Sequence, residues 1–151
     1  MQDIEDFKKS IGRKSRLLGI DPGKKRVGLA ISDEDKLVST PLKTIIKKNN
    51  SDLAKEIREI IEENNIKGIV VGNPINMDGS KGPSAQSAND FAKYLSNNIS
   101  IPVTMWDERL SSEAAFNLSS NLDINTSKKV EKLDQNAASF ILQGALDYLK
   151  R

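Results

Sequence analysis

Cysteine and histidine are both absent from the 151-residue chain. Without cysteine no disulfide framework can form, and without either residue the ordinary ligands of structural zinc are missing. Histidine general bases and cysteine nucleophiles go with them. Hydrolytic chemistry therefore has to rest on Asp, Glu, Ser, Lys or Tyr, or on a metal held by oxygen ligands. Also lacking is any run of about 18 or more apolar residues, so no membrane span is expected. Residues 1–15 are polar and of mixed charge, without the apolar stretch of a secretory signal, which gives cytoplasmic as the expected location. A large charge excess is missing too. The net charge is only +2, so the global balance does not announce a nucleic-acid binder.

What is present suits one compact domain with a real core. The basic residues are clustered: Lys8, Lys9, Arg13, Lys14 and Arg16; Lys24, Lys25 and Arg26; Lys43, Lys47 and Lys48; Lys128, Lys129 and Lys132. Taken alone, each cluster reads equally as solvated surface or as a binding patch, and only its position relative to a site can decide. Residues 16–21 read as a short strand stopped by Pro22-Gly23. Residues 26–32 form a second strand, in which Val27, Leu29 and Ile31 alternate with Gly28 and Ala30. After the polar turn Asp33-Glu34-Asp35, residues 37–46 read as a third strand with Pro41 in it, which suits a sheet edge.

The period then changes. Leu53, Ile57, Ile60 and Ile61 recur at helical spacing behind a cap at Ser51 or Asp52. The continuous apolar run 68–72 has the character of a buried parallel strand. A glycine-rich loop, 73–82, leads into a helix carrying Ala88, Phe91, Ala92 and Leu95. Residues 101–106 form a fifth strand, 111–118 a short helix, 123–131 a lysine-bearing connection and 133–149 a last helix. A meander followed by β-α-β crossovers predicts an α/β fold: one mixed five-stranded sheet with helices on both faces, a three-layer arrangement. Residues 1–15 read as an N-terminal extension, and 16–151 as the single domain.

In such sheets, sites gather beyond the carboxyl ends of parallel strands. Asp21 ends the first strand there, the loop 73–82 follows the fourth, and Asp107-Glu108-Arg109 ends the fifth. An Asp before Pro-Gly is ordinarily a turn residue, and Asp-Glu-Arg ordinarily a solvated corner. The last helix adds a third carboxylate. Leu133, Ala137, Phe140, Ile141, Gly144, Ala145 and Leu149 define its buried stripe, with Asp134 at the border in what reads as the first turn. The helix N-terminus would favour its ionised form. Asp21, Glu108 and Asp134, with Asp107 as the alternative to Glu108, then converge from separate elements. Oxygen donors with no histidine or cysteine suit the hard ions Mg²⁺ or Mn²⁺. Gly72, Gly79 and Gly82 permit close backbone approach to a phosphate. Lys24, Lys25, Arg26 and Arg109 flank the acids and suit a nucleic-acid backbone. Trp106 reads as core.

Four segments, LLGIDPGKKRVGLAISD (17–33), IVVGNPINMDGSKGPSA (69–85), VTMWDERLSSEAA (103–115) and LDQNAASFILQGALDYL (133–149), together resemble the YqgF/RuvX family in that family's order. The resemblance implies a ribonuclease H-like fold and a metal-dependent hydrolase of phosphodiester bonds that processes the 5′ end of pre-16S rRNA in ribosome biogenesis. It also implies pre-rRNA or branched DNA, and pre-ribosomal particles, as partners. By motif match Asp21, Glu108 and Asp134 fall on the family's acidic residues. The departures are Ser112 where Thr is common, Asn73 where an apolar residue is common before Pro74, and the long extension. Alternative readings are a Holliday-junction resolvase-type DNA endonuclease and a noncatalytic nucleic-acid-binding assembly factor. An actin-like ATPase is disfavoured, because the Asp21 motif occurs once and such enzymes need two related domains.

Overall fold

A computed structural model of the chain describes residues 1–74, 78–110 and 126–150, the last stretch by its backbone alone as far as residue 132. Strand β1 (Arg16–Pro22) ends at Pro22-Gly23, and the chain returns at once as β2 (Arg26–Ser32), antiparallel to it with Asp21 opposite Gly28. In the next turn Asp33 Oδ1 accepts from the amides of Leu37 and Val38. Because those two residues close the turn, β3 (Ser39–Ile46) starts later than the sequence pattern suggests. Pro41 does lie on an edge strand, and the β2–β3 register slips there: Leu29 pairs with Lys43 but Ala30 with Pro41. A missing backbone donor is tolerated at such a place.

Helix α2 (Asn50–Asn64) is capped by Asn49, whose side chain accepts from the Asp52 amide at 2.8 Å, rather than by Ser51 or Asp52. It ends on Asn65 in the left-handed conformation, φ 53°. Strand β4 (Ile66–Asn73) runs parallel to β1. Helix α3 (Pro83–Asn98) then crosses over to β5 (Val103–Asp107), parallel to β4, and a 3₁₀ turn (Glu108–Leu110) follows. The sheet order is β3-β2-β1-β4-β5, the mixed arrangement expected. The expected helix at 111–118 lies outside the described residues, as do residues 75–77 of the glycine-rich loop.

Strand alternation divides the core in two. Leu18, Ile20, Val27, Leu29, Ile69 and Val71 face α2 and α3, whereas Leu17, Ala30, Val70 and Trp106 face the last helix, α4 (Thr126–Leu149). Helix α4 is longer than the sequence pattern suggests. The stretch from Thr126 to Asp134, most of it expected to be a connection, has neither Gly nor Pro and carries Lys128, Lys129, Glu131 and Lys132, all good helix formers, so the helix begins at Thr126. Asp134 therefore stands in the third turn, not the first, and the argument that a helix N-terminus favours its charge does not hold. The buried stripe is also rotated from the expected one. Ala138, Ile141, Leu142, Ala145, Leu146 and Leu149 are buried, while Leu133, Ala137, Phe140 and Gly144 are only half-buried.

The first fifteen residues pack onto this same face. Asp3 caps a short helix, α1 (Ile4–Ser10), by accepting from the Asp6 amide. Phe7 on it is fully buried against Gly68, Ile11 joins the core, and Gln2 forms a parallel bridge to Thr104.

Candidate active site

Asp21 shares its face of β1 with Leu17 and Gly19, so it points to the α4 side of the sheet at the strand's carboxyl end. Glycines let α4 lie directly on the strands there. A Cβ at Gly19 would come within 2.7 Å of Leu142 Cβ and 3.1 Å of the Ala138 carbonyl, and one at Gly28 within 2.0 Å of the Asp134 carbonyl oxygen. This contact, on the residue opposite Asp21 in the register, delivers Asp134 to the strand end. Gly72, at the end of β4, leaves the space that Glu108 enters. Its missing Cβ would meet Glu108 Oε1 at 2.7 Å and Ile141 Cδ1 at 2.6 Å. Gly28 and Ile141 are thus positioning residues that sequence reasoning did not single out. The signal was present in the small side chains, Gly28 and Ala30, that occupy one face of β2.

The carboxyl groups of Asp21 and Glu108 stand within hydrogen-bonding reach of each other. Burial, then the negative charge of Glu108, then the hydrogen bond to it, and last the charge of Asp134 push Asp21 up to about 8. Burial also raises Glu108, with the charge of Asp107 adding to it and the hydrogen bond from Asp21 opposing. Burial and mutual repulsion therefore disfavour the doubly ionised pair. Asp134 keeps a separate partner: Arg26 Nε donates to its Oδ2 at 2.9 Å. Among the described residues, no set of three acidic side chains is gathered closely enough to enclose an ion as it stands. Asp21 and Glu108 meet, and Asp134 leans to Arg26.

Of the neighbours Asp107 and Glu108, only Glu108 approaches Asp21. Asp107 is clamped by its own loop: Arg109 donates from Nη2 at 2.6 Å and from Nε at 2.9 Å to Oδ2, and its amide donates to Oδ1 at 2.9 Å. These bonds hold Asp107 below the usual carboxylate range. Arg109, expected to face substrate, is accordingly engaged within the protein, and so is Arg26. Lys24 and Lys25 stand exposed on the β1–β2 turn beside Asp21. Gly79 takes φ 90°, a conformation that side chains rarely adopt, and Gly82 is the N-cap of α3. Trp106 is buried, as expected, with its ring tilted against Tyr148.

The family model described as RuvX, Holliday junction resolvase, matches residues 15–148. A protein of Pelagibacter ubique named "Putative pre-16S rRNA nuclease" is 57% identical over 149 residues, which is 99% of each chain. One of the same name from Gluconacetobacter diazotrophicus is 42% identical over 146 residues, covering 96% of this chain and 95% of its own. Among solved structures, Thermus thermophilus RuvC superposes with a TM-score of 0.56 at 12% identity, over 88% of this chain and 95% of that one. The T. thermophilus RuvC complex with Holliday junction substrate gives 0.52, also at 12% identity, over 89% and 94%. At such identity the likeness concerns the fold, and the fold is the ribonuclease H-like α/β arrangement expected from the sequence.

Proposed function

The chain belongs to the RuvX family, and from that premise we propose that it is a metal-dependent nuclease that hydrolyses the backbone of pre-16S rRNA, with Asp21 and Glu108 at its centre. The contact between these two acids is the observation that carries the proposal. They come from β1 and from the turn after β5, they are half-buried, and they repel each other unless a proton or a cation lies between them. With Arg26 given to Asp134, this all-oxygen donor set fits a hard divalent ion such as Mg²⁺ or Mn²⁺. Such an ion supplies positive charge to the water and to the leaving oxygen of the scissile phosphodiester.

The remaining roles belong to the chain's own residues. Asp21 and Glu108 would hold the ion, and Asp134 would complete its negative surroundings by exchanging Arg26 for it. Lys24 and Lys25 bind backbone phosphate at the rim without reading sequence. Gly79 and Gly82 let the loop's amides approach the same backbone. Arg109 fixes Asp107 and through it the turn that carries Glu108.

The test offers the purified protein a pre-16S rRNA fragment and a four-way DNA junction, each with Mg²⁺, Mn²⁺ or EDTA. The expected result is cleavage of the RNA with either ion, its loss in EDTA, and its return when the ion is restored. Cleavage of the junction alone would move the substrate to branched DNA. Binding without cleavage of either would make the chain a noncatalytic assembly factor, and EDTA-resistant cleavage would exclude the metal.

A further inference from the structure

On the face of the sheet away from α4, the β1–β2 turn, the end of β3 and the first turns of α3 enclose an open cleft of about 240 Å³. Its rim carries Lys24, Lys47, Ser84 and Ser87, and its floor includes the buried Val27 and Phe91. Neither acid of the carboxylate centre lines this cleft, and of the phosphate-binding residues named above only Lys24 borders it. The two sites back onto the same turn: Asp21 faces α4, and Pro22-Gly23 line the cleft. Neither Lys24 nor Lys47 has a carboxylate partner among the described residues, unlike Lys14, Lys43 and Lys150. Lys47 Nζ lies instead over the Phe91 ring, 5.7 Å from its centroid.

Two uncompensated ammonium groups at the mouth of a small cleft concentrate anions, and an apolar floor strengthens each charge contact by lowering the local dielectric. The serine hydroxyls add donors that suit phosphate oxygens. The space is smaller than the roughly 300–1,000 Å³ of pockets that take whole drug-sized ligands. A nucleobase seated on Phe91 would also have to displace Lys47. A phosphate group meets neither obstacle. We propose that this cleft is a second phosphate subsite, which holds the adjoining stretch of the nucleic-acid strand whose scissile bond lies at Asp21 and Glu108. This rests on the nuclease reading above, and the β1–β2 turn is then a ridge over which the strand passes from one face of the sheet to the other.

The test follows backbone amide resonances of the full chain as single-stranded RNA, or inorganic phosphate, is added in EDTA. RNA should shift Ser84, Ser87 and Lys47 together with residues around Asp21. Lys47→Gln and Ser87→Asp should each weaken RNA binding by roughly three- to tenfold, and Lys47→Gln should lower the slope of log affinity against log salt by about 0.7, one phosphate contact on a single strand. RNA shifts confined to the Asp21 and Glu108 side, with both variants binding like the parent, would overturn the subsite and leave the nuclease reading standing. Shifts at Ser84 and Ser87 with inorganic phosphate but not with RNA would make the cleft a site for a free phosphate compound, which also overturns the proposal. Absence of RNA shifts on both faces would overturn both readings.

Discussion

Asp21 retains its proton at a pH where an exposed aspartate has lost it, because burial and the neighbouring Glu108 both disfavour its charge. The consequence for stability has a definite sign. Between the ordinary value of 3.8 and the folded value of about 8, the native state binds more protons at this residue than the unfolded chain does. The stabilising contribution is therefore fully present below the lower value and is lost as pH rises toward the upper one. In EDTA, the melting temperature of the protein should fall as pH rises from about 4 to about 8. Asp21→Asn keeps the shape and cannot ionise. It should flatten the slope and raise the melting temperature at the alkaline end, by about 2–4 °C for each kcal/mol recovered in a chain of this size. Calorimetric scans across that range check the point; parallel curves for the two proteins would contradict it. At this scale the sequence was informative about which acids reach the strand ends, since Asp21 and the Asp107-Glu108 pair are placed by strands that alternation makes visible. It could not choose between Asp107 and Glu108, because that depends on Arg109 folding back onto Asp107 in a turn with no periodicity to read.

The elements meet through glycines, and two of them separate stability from function. At Gly28 the obstacle to a side chain is the backbone carbonyl of Asp134, 2.0 Å from an ideal Cβ, and no rotamer change relieves it. Gly28→Ala should push α4 off β2, costing about 1–3 kcal/mol or more in denaturant titrations. At Gly72 the obstacles are the far ends of Glu108 and Ile141. Gly72→Ala should therefore fold with a loss of no more than about 1 kcal/mol. By turning Glu108 away it should lower cleavage on the order of 10²-fold, the scale of an ångström's misplacement at a reacting centre. Equal damage to stability from both substitutions would contradict this division. Helix α4 also shows where element boundaries escaped the sequence. Hydrophobic periodicity located the helix from Leu133 to Leu149, but not its lead-in from Thr126. Its first turns carry a sequence that suits an exposed connection as well as a helix, and only the continuation of the backbone decides.

For the molecule as a whole, the mixed sheet and its two helix-covered faces were legible because the three-strand meander and the apolar 68–72 run have different periodicities. The integration of residues 1–15 was not read from the sequence, although Ile4, Phe7 and Ile11 are spaced for one face of a helix behind Asp3. Mixed charge masked that short pattern. Because Phe7 is fully buried over Gly68, Phe7→Ala should cost about 3–5 kcal/mol, as other buried aromatic truncations do. Denaturant melts of the whole chain check this, and a loss below about 1 kcal/mol would show that α1 is only loosely applied.

We propose that the acid pair formed by Asp21 and Glu108 carries metal-dependent phosphodiester hydrolysis. The most direct measurement is single-turnover cleavage of a pre-16S rRNA fragment by the parent chain and by Asp21→Asn, at matched RNA occupancy in Mn²⁺. Asn preserves the shape of the side chain and removes the charge that would hold a divalent ion. Cleavage by the parent and none by the variant is expected, with RNA affinity unchanged or slightly raised because a negative charge facing phosphate is gone. Undiminished cleavage by Asp21→Asn would contradict it.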